Sequence, residues 1–129
     1  LAEKINSNSK KEKKQQRIYC QINIGNDPKK FGLKKTESIK IISQINKLNN
    51  TVVEGLMTIP PFDSDPENSR RHFSRLRELR EQYEKQNGLP LNELSMGMSN
   101  DFEVAVEEGA TLVRVGTAIF GPRPKLDDK

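Results

Sequence analysis

Leu94-Ser95-Met96-Gly97-Met98-Ser99-Asn100-Asp101-Phe102-Glu103-Val104-Ala105-Val106-Glu107-Glu108-Gly109-Ala110-Thr111-Leu112-Val113-Arg114-Val115-Gly116-Thr117-Ala118-Ile119-Phe120-Gly121 decides the fold. A strand over roughly Asn92 to Met96 runs into Gly97-Met98-Ser99, Asn100 caps a helix with Glu103 three residues later, and Gly109 ends that helix. A strand over Thr111 to Val115 follows, and Gly116-Thr117 leads into the short apolar run Ala118-Ile119-Phe120. Strand, helix, strand and helix with such short connections imply parallel strands joined by crossover helices.

The same unit recurs upstream. Ile18, Cys20, Ile22 and Ile24 alternate with polar residues, which predicts a strand over Arg17 to Ile24. Asn26-Asp27-Pro28 and Gly32 mark a loop, Thr36-Glu37 opens a helix with a capping hydroxyl, and Ile39, Ile42, Ile45 and Leu48 give it an apolar face that Asn49-Asn50 closes. Thr51 to Met57 is a Val-rich strand. Pro60, Pro61 and Pro66 crowd the loop behind it, Asp65-Pro66 starts another helix, Phe73, Leu76, Leu79 and Tyr83 form its stripe, and Gly88 and Pro90 stop it. The expected architecture is α/β: one domain over 1–129, with a polar, Lys-rich helix end and loop (1–16), four βα units (17–121) and a tail (122–129). Eight such units fill the ~250 residues of a (β/α)8 TIM-type barrel, so four parallel strands make its C-terminal half. An independent four-stranded open sheet is the alternative. The 33% hydrophobic content and the start on Leu1 rather than Met favour a half-barrel belonging to a longer protein.

Composition excludes much chemistry. One Cys (Cys20) and one His (His72) cannot form a disulfide or a closed zinc site, which fits a reducing, cytoplasmic setting and no metal. No apolar run is long enough for a membrane span. The net charge of +4 is concentrated in Lys10–Lys14 and Arg70–Arg80, yet the arginines alternate with Glu78, Glu81 and Glu84 at helical spacing, and no Trp is present, so a nucleic-acid surface is disfavoured. His72 on a charged helix is a poor triad base, and Gly97 to Asp101 lacks the second glycine of a nucleophile elbow.

In α/β proteins ligands gather at the carboxyl ends of strands, which places Asn23, Met57-Thr58, Met96 to Ser99 and Arg114 to Thr117 there. Ser99-Asn100 and Gly116-Thr117 each open a helix, where free N–H groups attract anions; plain capping and tight packing explain them equally well locally. Arg114 is harder to dismiss. It alternates with Val113 and Val115, and a permanent charge in an apolar strand needs an anion or ring acceptor. Met57, Met96 and Met98 either line a flat ligand's pocket or fill core.

Gly55-Leu56-Met57-Thr58-Ile59, the run Leu94 to Phe102 and the run Val113 to Gly121 resemble the pyridoxal phosphate homeostasis protein family, called YggS in bacteria, over about Tyr19 to Arg123. The resemblance implies a barrel like the alanine racemase N-terminal domain that binds pyridoxal 5′-phosphate (PLP) on a Schiff-base lysine and regulates vitamin B6 pools without a turnover reaction. It implies that Ser99, Gly116 and Thr117 hold the phosphate and that Arg114 faces the pyridine nitrogen; Met57 and Met98 are further cofactor-binding candidates from their strand-end positions. An arginine there keeps the nitrogen unprotonated, which suits a carrier better than a catalyst. Asn23, Lys30 and Gly32 match the family's loop pattern, with Asp27 where an acid is usual. The family's Schiff-base lysine belongs to the amino-terminal half, and no lysine here is expected inside an apolar strand. The expected partners are therefore PLP and either an N-terminal half-barrel or a second copy; an assembly module that self-associates without cofactor is the alternative.

Overall fold

In chain order the elements are α1 (Ala2–Lys11), β1 (Gln16–Asn23), β2 (Leu33–Lys34), α2 (Lys35–Ile45), β3 (Thr51–Met57), α3 (Arg70–Asn87), β4 (Glu93–Met98), α4 (Phe102–Glu107), β5 (Leu112–Arg114) and α5 (Thr117–Phe120). They are seen in a computed structural model that describes residues 1–125; of the expected tail, 126–129 lie outside the described residues. All strand pairs are parallel, in the order β2-β1-β3-β4-β5. The expectation of four strands is corrected to five. Strand β2 has only two residues, Leu33 paired with Ile22 and Lys34 with Asn23, too short to show any periodicity in the sequence. It also puts Lys34 in a strand, although its side chain is exposed at the sheet edge.

Parallel register brings like-facing residues together. Cys20, Leu56 and Leu94 are paired across β1, β3 and β4 and lie in the core with Phe73, Leu76 and Tyr83 of α3 and Ile42 of α2. The next residues along, Gln21, Met57 and Ser95, are paired in the same way and therefore point to the opposite face. That face carries the site described below.

Helix α3 begins as expected. The Asp65 carboxylate accepts from the Glu67 amide, Pro66 occupies the first position of a 3-10 turn (Pro66–Ser69), and Gly88, at φ +65°, ends the helix. Two other caps are corrected. Thr36 lies inside α2, which starts at Lys35 without a side-chain cap, and Asn100 does not cap α4, whose N-cap is Asp101. A tight turn after β4 takes over both side chains: Asp101 Oδ1 accepts from the Met98 amide at 2.9 Å, and Asn100 Nδ2 donates to the Asp63 carbonyl at 2.8 Å.

Gly97 makes the close approach of α4 to β4 geometrically feasible. Its φ is +95°, and a Cβ there would lie 2.6 Å from Ala105 Cβ and 3.0 Å from Phe102 Cα.

The arginines of α3 do more than pair along their own helix. Arg70 reaches Glu67 at 2.8 Å, Glu107 at 2.6 Å and Glu108 at 3.0 Å, while Arg77 meets Glu108 at 2.7 Å, so the two cations clamp α4 onto α3. The hydrogen bond from Arg70, helped by Arg77, holds the Glu108 carboxyl below its ordinary range against the opposing effect of burial. A carboxyl depressed in the folded state adds stability that is present above its unfolded value, near 4.5, and is lost as pH falls through the lower folded value. Urea midpoints are accordingly expected to drop below about pH 4.5, and to drop less in Glu108→Gln, which is already weaker at pH 7; an identical acid profile in both proteins would remove Glu108 from the clamp.

Candidate functional site

Strands β3, β4 and β5 end side by side, and their last residues assemble the site. Arg114 and Met98 are register partners at the ends of β5 and β4, and Met57 is paired with Ser95 on the same face. The half-buried Arg114 guanidinium donates from Nη1 to Ser95 Oγ at 2.6 Å and from Nη2 to the Thr58 carbonyl at 3.0 Å. Burial pulls its pKa below the ordinary value, with the Asp101 charge acting the other way, but a guanidinium remains cationic throughout. Both its acceptors are neutral.

One turn further, the loops after β4 and β5 meet at Ser99. Its hydroxyl oxygen accepts from the backbone amides of Gly116 at 3.3 Å and Ala118 at 3.1 Å. Two N–H groups thus converge on one oxygen, with exposed Thr117 between them in sequence. A Cβ on Gly116 would meet nothing within 4 Å, so the loop is open to an incoming group rather than packed shut. Among the described residues no packing contact accounts for that glycine. Met98 is 45% exposed beside this loop, Met57 is half-buried, and Met96 belongs to the core.

The Asn23 loop braces itself and then the next loop. Asn23 Nδ2 donates to the carbonyls of Asp27 at 2.7 Å and Lys30 at 3.3 Å, its Oδ1 accepts from the Asp27 amide at 3.1 Å, and Lys30 Nζ donates to the Pro60 carbonyl at 2.6 Å. An ammonium group therefore sits just beyond the carboxyl end of β3, a placement the sequence did not disclose. His72 is buried, and burial followed by Arg71, Arg75 and Lys30 lowers its pKa, so it is held neutral. Burial pushes the Cys20 thiol up to about 11, leaving it unreactive. Among the described residues no three His, Cys, Asp or Glu side chains gather to hold a metal, and no helix is long and apolar enough to cross a membrane. A depression of about 380 Å³ lies at the other end of the strands, lined by Gln15, Thr51 and Leu89. A smaller depression, about 160 Å³, is lined by Ser99 together with Pro66, Asp101 and Phe102.

Sequence reasoning missed Ser95, the carbonyl of Thr58 and the amide of Ala118. The available signal was a serine inside an otherwise apolar strand.

Fold and site together define a parallel α/β protein whose strand ends carry an arginine and a loop in which two backbone amides converge on a serine hydroxyl. The chain belongs to the alanine racemase N-terminal domain family, whose model matches residues 1–124. It is 42% identical over 123 residues to the pyridoxal phosphate homeostasis protein of Aquifex aeolicus, covering 95% of this chain and 54% of that one. The Homo sapiens protein of the same name is 42% identical over 129 residues, covering 95% and 47%. The chain thus spans about half the length of the curated relatives it matches. Among solved structures, PipY of Synechococcus elongatus with PLP bound superposes with a TM-score of 0.83 at 30% identity, over 93% of this chain and 56% of that one. An alanine racemase of Clostridium difficile shares the fold, with a TM-score of 0.74 at 21% identity, over 98% and 33%. The five-stranded parallel sheet corresponds to part of an alanine racemase-like barrel.

Proposed function

We propose that this chain provides the phosphate-holding and ring-facing side of a PLP site in a cytoplasmic protein of vitamin B6 homeostasis, acting as a carrier and not as an enzyme. One observation carries the reading: the amides of Gly116 and Ala118 already converge on a single oxygen, while at the end of the same strand the Arg114 cation donates, among the described residues, to two neutral acceptors. That donor set fits a phosphate ester joined to a pyridine ring. The amides, with the Ser99 and Thr117 hydroxyls, would take phosphate oxygens; Arg114 would donate to the ring nitrogen, with Met57 and Met98 alongside the ring. Bound PLP supplies an aldehyde and an electron-withdrawing ring. A guanidinium cannot give up its proton at neutral pH, so the ring nitrogen stays unprotonated and electron withdrawal stays weak. Holding is favoured over turnover.

The test is a PLP titration followed by borohydride reduction and intact mass. Binding competed by inorganic phosphate, without a trapped adduct, is the expected result. An adduct on one lysine would show that this chain completes the site alone; absence of binding would defeat the reading.

A second reading, self-association or pairing with an N-terminal half-barrel, is favoured by what the sheet leaves uncovered. Strands β2 and β5 form its edges, and Tyr19, Leu112, Ile119 and Phe120 are 40%, 39%, 69% and 85% exposed. Sedimentation is expected to show a dimer or larger species at high concentration. A monomer at every concentration would contradict it.

A further inference from the structure

Arginine reaches a ligand through a long, flexible side chain, and fixing that chain in advance is what makes it selective. Here the fixing groups are visible. Ser95 is 3% exposed and its hydroxyl oxygen accepts from Arg114 Nη1 at 2.6 Å. Thr58 is fully buried and every polar group it has is engaged: its amide donates to the Ser95 carbonyl at 3.1 Å, its Oγ1 donates to the Ile22 carbonyl at 2.8 Å, and its own carbonyl accepts from Arg114 Nη2 at 3.0 Å. Thr58 therefore joins β1, β4 and β5 at their carboxyl ends. The aim of the guanidinium is set by a side chain inside β4 and by the residue that follows β3, itself hydrogen-bonded to β1 and β4.

We infer that Ser95 and Thr58 are positioning residues that aim Arg114 at the ligand's ring while leaving its charge undivided. The second half of that statement follows from the chemistry of the anchors. A carboxylate in place of the Ser95 hydroxyl would hold the guanidinium as firmly but neutralise it in an ion pair. A hydroxyl and a carbonyl accept hydrogen bonds without forming an ion pair, so the remaining N–H groups stay available as charged donors, with the Asp101 carboxylate acting on the guanidinium through space. Neither anchor lies at Ser99, Gly116 or Ala118, where the phosphate would be held. Loss of an anchor should thus weaken ring recognition and leave phosphate recognition alone.

The inference rests on the reading of the site as a PLP site, and the test separates the two. In the ligand-free chain, the Arg114 side-chain N–H signals are followed by NMR in wild type, Ser95→Ala, Thr58→Val and Thr58→Ser. Slow exchange and restricted rotation are expected in wild type and Thr58→Ser, and averaged signals in Ser95→Ala, with Thr58→Val between. PLP affinity is then compared with inorganic phosphate affinity: Ser95→Ala is expected to lose about tenfold for PLP and nothing for phosphate. Equal losses for both ligands, or an Arg114 signal unchanged in Ser95→Ala, would overturn the inference. Should wild type bind no PLP at all, the PLP reading fails by itself, and the ligand-free signals still decide whether Ser95 and Thr58 fix Arg114. Backbone amide spectra of each variant confirm that the fold is kept, and Thr58→Ser serves as the hydroxyl-retaining control.

Discussion

Replacing Arg114 by alanine is expected to weaken PLP binding by roughly 1.5–3 kcal/mol, the range for a hydrogen bond to a charged group, which is about 10- to 150-fold in dissociation constant. The loss has two sources. The ring nitrogen forfeits its charged donor, and Ser95 Oγ inside β4 and the carbonyl of Thr58, the residue that follows β3, lose the partner that satisfies them. Arg114→Lys should recover only part of the affinity, because an ammonium is a point charge and cannot span Ser95, Thr58 and a ring acceptor with one planar fork. Inorganic phosphate should bind the alanine variant nearly as well as wild type, since the convergent amides of Gly116 and Ala118 are untouched. Calorimetric or fluorescence titration reads both quantities. Equal PLP affinity in wild type and Arg114→Ala would place the ring elsewhere.

Gly97→Ala is expected to cost about 3 kcal/mol of stability, combining ~1–2 kcal/mol for a side chain at positive φ with ~1–3 kcal/mol for overpacking. The added Cβ would meet Ala105 Cβ at 2.6 Å and Phe102 Cα at 3.0 Å, and neither is the far end of a flexible side chain. Relief requires α4 to move off the sheet, yet α4 is clamped to α3 through Arg70, Arg77, Glu107 and Glu108. With a urea slope of ~1–3 kcal/mol/M, the midpoint should fall by roughly 1–3 M. The damage reaches the site as well, because Met98, Ser99 and Asp101 hang from the turn that Gly97 starts. A midpoint within a few tenths of a molar of wild type would mean that α4 is far less tightly seated than these contacts require.

Much of this was legible in the sequence wherever a pattern ran long enough to repeat. Alternation located β1, the Val-rich run located β3 to the residue, and the Phe73, Leu76, Leu79 and Tyr83 stripe is the buried face of α3. Arg114, Ser99 and Gly116 stood out because a charge in an apolar strand and small residues at strand ends ask for a ligand or a turn, and the structure brings all three to one end of the sheet. Short-range competition hid the rest. Two-residue β2 has no period to read. Asn100 and Asp101 are both good caps in composition, and only the tight turn after β4 decides that Asn100 reaches across to Asp63. Arg70 and Arg77 carry acids at helical spacing, but their shortest ion pairs, to Glu107 at 2.6 Å and Glu108 at 2.7 Å, reach across to the end of α4. Ser95 matters because register places it opposite Met57 and a register irregularity between β4 and β5 lets Arg114 reach its hydroxyl, which no local pattern encodes.

The most direct measurement is a backbone amide NMR spectrum recorded while PLP is added. The account predicts that the signals of Gly116, Thr117 and Ala118 move first and furthest, joined by the Arg114 side-chain signals, and that inorganic phosphate moves the three amides but not Arg114. Shifts confined to other parts of the sheet, or no shifts at millimolar PLP, would contradict it.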